Sequence, residues 1–138
     1  TGTSSNETIC LTDLLKTCAA INGVDVPSSA GEDSYNILPA LVGNPSSPIR
    51  EATVSTAGNG AFSVRQGRWK LELTGSTGGY RNISQEEVAA KGLPSVQLYD
   101  LENDIGETNN LYAQYPDVIR RLTSLLESYR ERGRSTRV

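Results

Sequence analysis

Three cationic side chains gather around the only tryptophan of the chain, and they are well suited to binding an anion. Arg65, Arg68 and Lys70 lie within four residues of Trp69. A guanidinium matches the oxygens of a carboxylate or a sulfate, and an ammonium acts as a point charge. The indole ring adds a face on which a sugar could stack. We therefore predict Arg65, Arg68, Trp69 and Lys70 as substrate-binding residues, although such residues are also typical of the solvent face of a hairpin.

Four carboxylates between residues 100 and 110 form a second polar group, interspersed with asparagines. They are Asp100, Glu102, Asp104 and Glu107. Oxygen ligands at such spacing can hold calcium, but the glycine and the last glutamate do not fall where an EF-hand loop has them. The pattern favours acceptor side chains that cap turns. We therefore predict no metal-binding residue in this chain.

The composition excludes several kinds of catalytic site. The sequence contains no histidine, which removes the commonest general base and any Ser-His-Asp or Cys-His site built within the chain. Its two cysteines cannot complete a structural zinc site made of cysteine and histidine. No catalytic residue is predicted here. The sequence also lacks methionine, and we expect a chain that was processed or cut from a longer one.

The charge of the chain is uneven, yet it does not indicate nucleic-acid binding. The net charge is -3, while residues 117–138 carry six basic and three acidic side chains. Arginines are favourable near the C-terminus of a helix because of its dipole, and no aromatic platform of the kind found in single-strand binders accompanies them. No apolar run approaches the ~20 residues that cross a bilayer. We predict neither a nucleic-acid partner nor a membrane span.

Residues 11–21 predict a short amphipathic helix, because their apolar side chains recur at helical spacing. The stripe consists of Leu11, Leu14, Leu15, Cys18 and Ile21. A helix of this length does not hold itself in water without packing. We therefore expect Leu14, Leu15 and Cys18 to be exposed, and to allow self-association, unless a partner covers them. A loop-rich linker follows, with one short helix that has Pro39 in its first turn and ends at Gly43.

The rest of the chain predicts strands and a long final helix. Alternating or short apolar runs indicate strands at residues 52–56, 61–66, 69–73 and 95–101. A helical stripe begins at Pro116 and ends at Gly133. The predicted fold class is α+β, a small antiparallel sheet of three to four strands covered by the C-terminal helix and preceded by the amphipathic helix and its linker.

Four segments, in order, resemble the C-terminal portion of the sulfatase family, the arylsulfatases and related sulfuric ester hydrolases. The segment ICLTDLLKTCAAINGVDV is similar to the family's h-D-L-L-P-T-L-A-x-L-A-G-h helix, and DSYNILPALVG to D-G-x-S-L-L-P-L-L-x-G. VRQGRWKL resembles V-R-x-G-x-W-K-L, and QLYDLENDIGETNNL resembles x-L-Y-D-L-x-x-D-P-x-E-x-x-N-L. The chain departs from these patterns at Lys16, Ser34 and Ile105.

The resemblance implies that the parent enzyme hydrolyses sulfate monoesters of a small molecule or a glycan. The family uses a formylglycine, made from Cys or Ser within Cys/Ser-x-Pro-x-Arg, and a Ca²⁺ ion, and both would lie in an N-terminal catalytic domain upstream of this chain. The parent would be periplasmic or secreted.

Ser46 to Arg50 also spell Ser-x-Pro-x-Arg, but they fall in the linker and lack the following Thr-Gly, so we expect a chance match.

Two functional hypotheses follow. In the first, this chain is the non-catalytic C-terminal part of a sulfatase, inactive alone, which supplies scaffold and part of the substrate cleft. The partner of this chain would be the missing catalytic domain, and residues 1–50 would belong to that domain or bridge toward it. Residues 51–138 would form an α+β subdomain. In the second, the chain is a stand-alone binding module for an anionic or carbohydrate ligand.

Overall fold

The computed structural model describes residue 2 and residues 4–43, 45–76 and 83–137. The chain forms two compact units. The terminal unit comprises Thr1–Thr53 and Ser128–Val138, and the sheet unit comprises Val54–Glu127. The division into domains at residues 50 and 51 stays a prediction, because compactness does not by itself establish that a segment folds alone.

The terminal unit begins with the predicted amphipathic helix. A 3₁₀ turn at Leu11–Asp13 leads directly into helix α1 at Leu14–Ile21. The hydroxyl of Thr17 donates to the carbonyl oxygen of Asp13 at 2.7 Å and accepts from the backbone N–H of Ile37 at 3.0 Å. One buried side chain thereby joins α1 to the residue that precedes the next helix.

The apolar stripe of α1 points away from the protein. Leu14 and Leu15 are 53% and 52% exposed, and Cys18 is exposed. The prediction of an exposed stripe is therefore confirmed in this chain. Leu11 in the 3₁₀ turn is the extreme case, at 85% exposure.

Helix α2 spans Leu38–Val42 and matches the predicted short helix. Pro39 lies in its first turn and Gly43 follows its end. A proline is tolerated in this position because the first N–H groups of a helix have no partner within it. Leu41 and Val42 on α2 are also largely exposed, and α1 and α2 contact one another.

A four-stranded antiparallel sheet forms the body of the sheet unit, as predicted. The strands run in the order β1-β2-β3-β4, and the pairs β2–β3 and β3–β4 are antiparallel. Their bounds are Thr53–Thr56, Phe62–Gln66, Trp69–Glu72 and Gln97–Asp100. Two residues connect β2 to β3, and the first of them, Gly67, has a φ of 57°. A positive φ at this position gives the loop the twist that a tight hairpin needs.

One row of side chains across the sheet is fully buried. Val64 lies opposite Leu71, and Leu71 lies opposite Leu98. All three have 0% exposure. Residues directly opposite one another share a face of the sheet, so this row is the centre of the core.

Helix α4, at Pro116–Arg132, contributes further buried apolar side chains. Leu122 and Leu126, one turn apart on α4, are 0% and 2% exposed. The predicted start at Pro116 is confirmed, and Gly133 follows the last helical residue with a φ of 65°. A shorter helix, α3 at Gln85–Ala90, begins with a capping box.

The opposite face of the sheet is polar. Side chains of successive strand residues alternate between the two faces, so the buried row alternates with Ser63, Arg65, Lys70, Glu72, Gln97 and Tyr99.

Among the helices of the described residues, none is both long and apolar enough to cross a membrane.

Candidate functional site

The structure separates the four predicted substrate-binding residues into two groups. Arg65 on β2 lies directly opposite Lys70 on β3, on the polar face of the sheet. Trp69 lies on the other face, opposite Asp100 of β4. Arg68 occupies the hairpin loop, and its guanidinium carbon lies 5.3 Å from the centre of the Trp69 ring. The four residues are close in sequence but do not form one surface.

Arg68 is bound by two carboxylates of the same unit. Its Nε donates to Asp100 Oδ1 at 2.8 Å, and its Nη2 donates to the other oxygen of Asp100. Its Nη1 lies 3.3 Å from a carboxylate oxygen of Glu102. The hydrogen bond from Arg68 lowers the pKa of Asp100 to about 2, opposed by desolvation and assisted by Asn103. This pair therefore fixes the hairpin loop to the end of β4.

Lys70 is held in a similar way on the polar face. Its Nζ donates to the two carboxylate oxygens of Glu107 at 2.7 and 2.9 Å and lies 2.9 Å from Glu72 Oε1. Partial burial lowers the pKa of Lys70, but the hydrogen bonds to Glu107 and Glu72 outweigh it, so the pKa is raised. Lys70 thus stays charged and ties the loop that contains Glu107 to β3.

These partners bear on what the predicted residues can bind. Arg68 and Lys70 each face two carboxylates, so the local charge around each is negative rather than positive. A sulfate would have to displace a carboxylate from either cation. Arg65 donates through Nε to the carbonyl oxygen of Gly67 at 3.2 Å. Binding of a substrate by these residues stays a prediction.

The acidic segment after β4 caps its own turns. Asp104 Oδ2 accepts hydrogen bonds from the backbone N–H groups of Thr108 and Asn109, each at 2.8 Å. These bonds lower the pKa of Asp104. The side-chain oxygen of Asn110 accepts from the backbone N–H of Leu98 at 3.0 Å. Within the described residues, no group of three or more cysteines, aspartates or glutamates is placed to hold a metal ion.

An aromatic pair that the sequence did not indicate lies beside Arg68. The rings of Trp69 and Tyr115 have centres 4.9 Å apart and are tilted by 51°. Tyr115 and Tyr112 are 41% and 40% exposed. Tyr115 lies at the residue before α4, far from Trp69 in sequence, so residue spacing gave no signal for the pair.

The terminal unit contains a buried ion pair. Arg50 donates to Asp13 Oδ1, and the two side chains are 3% and 0% exposed. Asp13 also accepts from the backbone N–H groups of Cys10 at 2.7 Å and Tyr35 at 2.9 Å. Arg50 is the arginine of the Ser-x-Pro-x-Arg match, so its partner gives it a structural role. Ser46, at the start of that match, is exposed.

Comparison with known proteins gives one relative in sequence. No family model matches the chain. Over 120 residues the chain is 32% identical to an N-acetylgalactosamine-6-O-sulfatase of Bacteroides thetaiotaomicron. The aligned stretch covers 87% of this chain and 23% of the sulfatase. The chain thus spans about a quarter of the length of the curated relative it matches.

The chain is also similar to solved structures. The chain designated BT33336S-sulf, described with the metabolism of multiple glycosaminoglycans by Bacteroides thetaiotaomicron, is 30% identical with a TM-score of 0.64, over 84% of this chain and 24% of that one. Two others share the fold. Ps i-CgsB is 22% identical with a TM-score of 0.56, over 85% of this chain and 23% of its own.

The second structure that shares the fold is BT4656, in complex with its substrate D-glucosamine-2-N,6-O-disulfate, at 21% identity and a TM-score of 0.58. It is matched over 86% of this chain and 23% of its own length. The predicted relationship to sulfatases is confirmed by the sequence match and by the match to BT33336S-sulf. The chain is similar in sequence to a sulfatase over a stretch of about a quarter of that protein's length.

Proposed function

We propose that this chain is the non-catalytic C-terminal part of a sulfatase and that the chemistry resides in the remainder of the parent enzyme. The 32% identity to a sulfatase of which this chain covers only 23% supports this division. The absence of histidine from the sequence agrees with it, because histidine is the commonest general base.

The observation that carries this proposal is that charged residues of the family-like segments form ion pairs. Asp13 binds Arg50, Arg68 binds Asp100, and Lys70 binds Glu107. Each of these pairs joins segments that are distant in sequence. Charges arranged in this way stabilise a local fold, whereas a catalytic group must be directed at the reacting atoms.

The parent enzyme would hydrolyse a sulfate monoester of a small molecule or a glycan. The formylglycine and the Ca²⁺ ion that sulfatases use would both be supplied upstream of this chain. The described residues do not fit a calcium site, because the nearest candidates, Asp100 and Asp104, are bonded to Arg68 and to backbone N–H groups. By resemblance, the parent would be periplasmic or secreted.

The exposed apolar side chains of the terminal unit would contact the catalytic part. This apolar surface comprises Ile9, Leu11, Leu14, Leu15, Ile21, Val24, Leu41 and Val42, all more than half exposed. Many exposed apolar side chains in one compact unit are typical of an interaction site. Such a surface supports the scaffold role proposed for this chain.

Sulfate release tests the proposal. The purified 138-residue chain should release no sulfate from an aryl sulfate or from N-acetylgalactosamine 6-sulfate. A longer polypeptide from the same reading frame, coproduced with a sulfatase-maturation system, should release it from at least one of them. Turnover by the chain alone, abolished by Ser46→Ala, would overturn both the proposal and the interpretation of Ser46 as a chance match.

A further inference from the structure

Residues 134–136 lie against segment 28–37, which connects α1 to α2. The chain leaves α4 at Gly133, whose φ of 65° turns it away from the helix axis. The backbone N–H of Thr136 then donates to the carbonyl oxygen of Glu32 at 3.1 Å, and the Thr136 hydroxyl donates to the same oxygen at 2.7 Å. We call residues 134–136 the strap.

Ser135 adds hydrogen bonds from the strap to the same segment. Its backbone N–H donates to Asp33 Oδ1 at 2.8 Å, and its carbonyl oxygen accepts from the Tyr35 hydroxyl at 2.9 Å. Tyr35 and Ser135 are 100 residues apart in sequence. Ser135 and Thr136 are 5% and 6% exposed, and buried polar groups are nearly always hydrogen-bonded. The strap is therefore closed on this segment.

The same segment is also bonded to the start of α1. The backbone N–H of Tyr35 donates to Asp13 Oδ1 at 2.9 Å. The hydroxyl of Ser34, a residue that is 2% exposed, accepts from the backbone N–H of Lys16 at 3.0 Å. The segment thus has the strap as one partner and the start of α1 as the other, all within the terminal unit.

We propose that the strap controls the order of α1, because it holds the segment that in turn holds the helix. Helix α1 has eight residues, too few to stay helical in water without packing. The strap, the segment and the start of α1 then open together as one local unit. Any partner that covers Leu14 and Leu15 meets an ordered helix only while the strap is closed.

This inference does not depend on sulfatase chemistry. It concerns local opening of the terminal unit, and it holds whether or not a longer polypeptide cleaves a sulfate ester. Sulfate release and control by the strap can therefore fail independently of one another.

Amide hydrogen exchange of the full chain, followed residue by residue by NMR, tests the proposal. Thr136→Val removes the hydroxyl bond to Glu32 and keeps the shape of the side chain. The reporters are the N–H groups of Lys16 and Tyr35, which bond to Ser34 and Asp13 rather than to the strap. Both should exchange roughly fivefold faster, the change expected from one lost hydrogen bond.

Ser135→Ala is the matched control in the strap. The Ser135 hydroxyl is buried and has no hydrogen-bond partner among the described residues, so its removal breaks no bond. Exchange at Lys16 and Tyr35 should stay within about twofold of the original chain. The two variants each delete one buried hydroxyl, and only one of these hydroxyls closes the strap.

Tyr35→Phe tests the coupling from the other side. It removes the hydroxyl bond to Ser135 and keeps the ring, whose centre lies 4.6 Å from the guanidinium carbon of Arg50. The N–H groups of Thr136 and Lys16 should both exchange faster, by roughly fivefold. Circular dichroism verifies that each variant keeps its fold, and exchange in β3 should not change.

Three outcomes would overturn the inference. One is faster exchange in Thr136→Val at residues 135 and 136 alone, since α1 would then be independent of the strap. Another is an equal effect of Ser135→Ala and Thr136→Val, which would assign no role to the Thr136 hydroxyl. The third is equal acceleration at Lys16 and in β3, which would indicate unfolding of the whole chain instead of a local opening.

Discussion

At the scale of single residues, the Asp13–Arg50 pair is a buried charged interaction of the terminal unit. Both side chains are almost fully buried. Asp13 also accepts two backbone N–H groups, from residues 10 and 35, that are far apart in sequence. A buried charge without its partner is costly because water cannot solvate it. Through the pair and these two hydrogen bonds, Asp13 connects Arg50 with the segments around residues 10 and 35. This connection requires both charges.

Asp13→Asn should destabilise the chain strongly. It leaves the Arg50 guanidinium buried without a counter-charge, which typically costs about 3–5 kcal/mol. Urea denaturation followed by circular dichroism measures the free energy of unfolding. The matched control is Asp117→Asn, whose ion pair with Arg120 is exposed on both sides and should change stability by less than about 1 kcal/mol. Similar losses in the two variants would contradict the structural role of Asp13.

A second prediction at this scale concerns pH. Arg68 holds the pKa of Asp100 at about 2, below the value near ~3.9 for an unfolded aspartate. Since the folded pKa is the lower one, the contribution of Asp100 to stability is complete above about pH 4 and is lost as the pH falls toward 2.

The unfolding free energy of Asp100→Asn, measured from pH 6 down to pH 2, checks this. The original chain should lose stability more steeply than the variant between pH 4 and pH 2. Parallel curves for the two proteins would exclude Asp100 as a source of the acid sensitivity.

At the scale of elements, a glycine allows two segments of the sheet unit to approach closely. A Cβ atom at Gly75 would lie 2.2 Å from the carbonyl oxygen of Pro94 and 2.5 Å from Val88 Cγ1. Val88 is the buried residue of α3. Gly75 therefore sets how closely α3 and the loop after it pack against the end of β3.

Gly75→Ala should destabilise the chain by about 1–3 kcal/mol, the usual cost of overpacking a close contact. Gly58→Ala is the control, because its Cβ would meet nothing within 4 Å, and it should be neutral or slightly stabilising. Thermal unfolding measures both. An unchanged melting temperature for Gly75→Ala would show that the close approach is not required.

The central row of the sheet gives a further element-scale prediction. Leu71 has 0% exposure between Val64 and Leu98, so Leu71→Ala should cost about 2–5 kcal/mol through lost burial and a cavity. Ile105→Ala deletes similar groups at an exposed position and should stay within about 0.5 kcal/mol of the original chain. Chemical denaturation compares them, and equal stabilities would contradict the assignment of the core.

Element positions followed from the sequence because they depend on local patterns. The alternation of Trp69, Leu71 and Leu73 with charged residues located β3, and Pro116 with the following helical stripe located α4. Strand ends shifted by one or two residues, since the last ladder bond depends on the neighbouring strand rather than on propensity. The first turn of the amphipathic helix is 3₁₀, and the spacing of its apolar residues did not distinguish this from an α-helix.

At the scale of the whole molecule, the apolar surface of the terminal unit should make the isolated chain prone to self-association. Leu11 and Val42 are 85% and 78% exposed. We expect the chain to bind a hydrophobic dye and to self-associate as its concentration rises. Replacing Leu11 and Val42 together with serine should reduce both, whereas Ile105→Ser in the sheet unit should not. Light scattering measures self-association and dye fluorescence measures dye binding. A monomeric chain that binds no dye would contradict the proposed contact between this surface and the catalytic part.

The sequence by itself determined the class of fold, the exposed helix stripe and the relationship to sulfatases, because periodicity and ordered motifs are local properties of a chain. Only the tertiary structure decided what the charged and aromatic residues do. Arg68 and Lys70 meet carboxylates more than thirty residues away, and Trp69 meets Tyr115. The backbone N–H of Ser135 reaches Asp33 across the terminal unit. Such partners depend on how the chain folds back on itself, so residue types and spacing could identify candidate ligands but could not show that those residues bind one another.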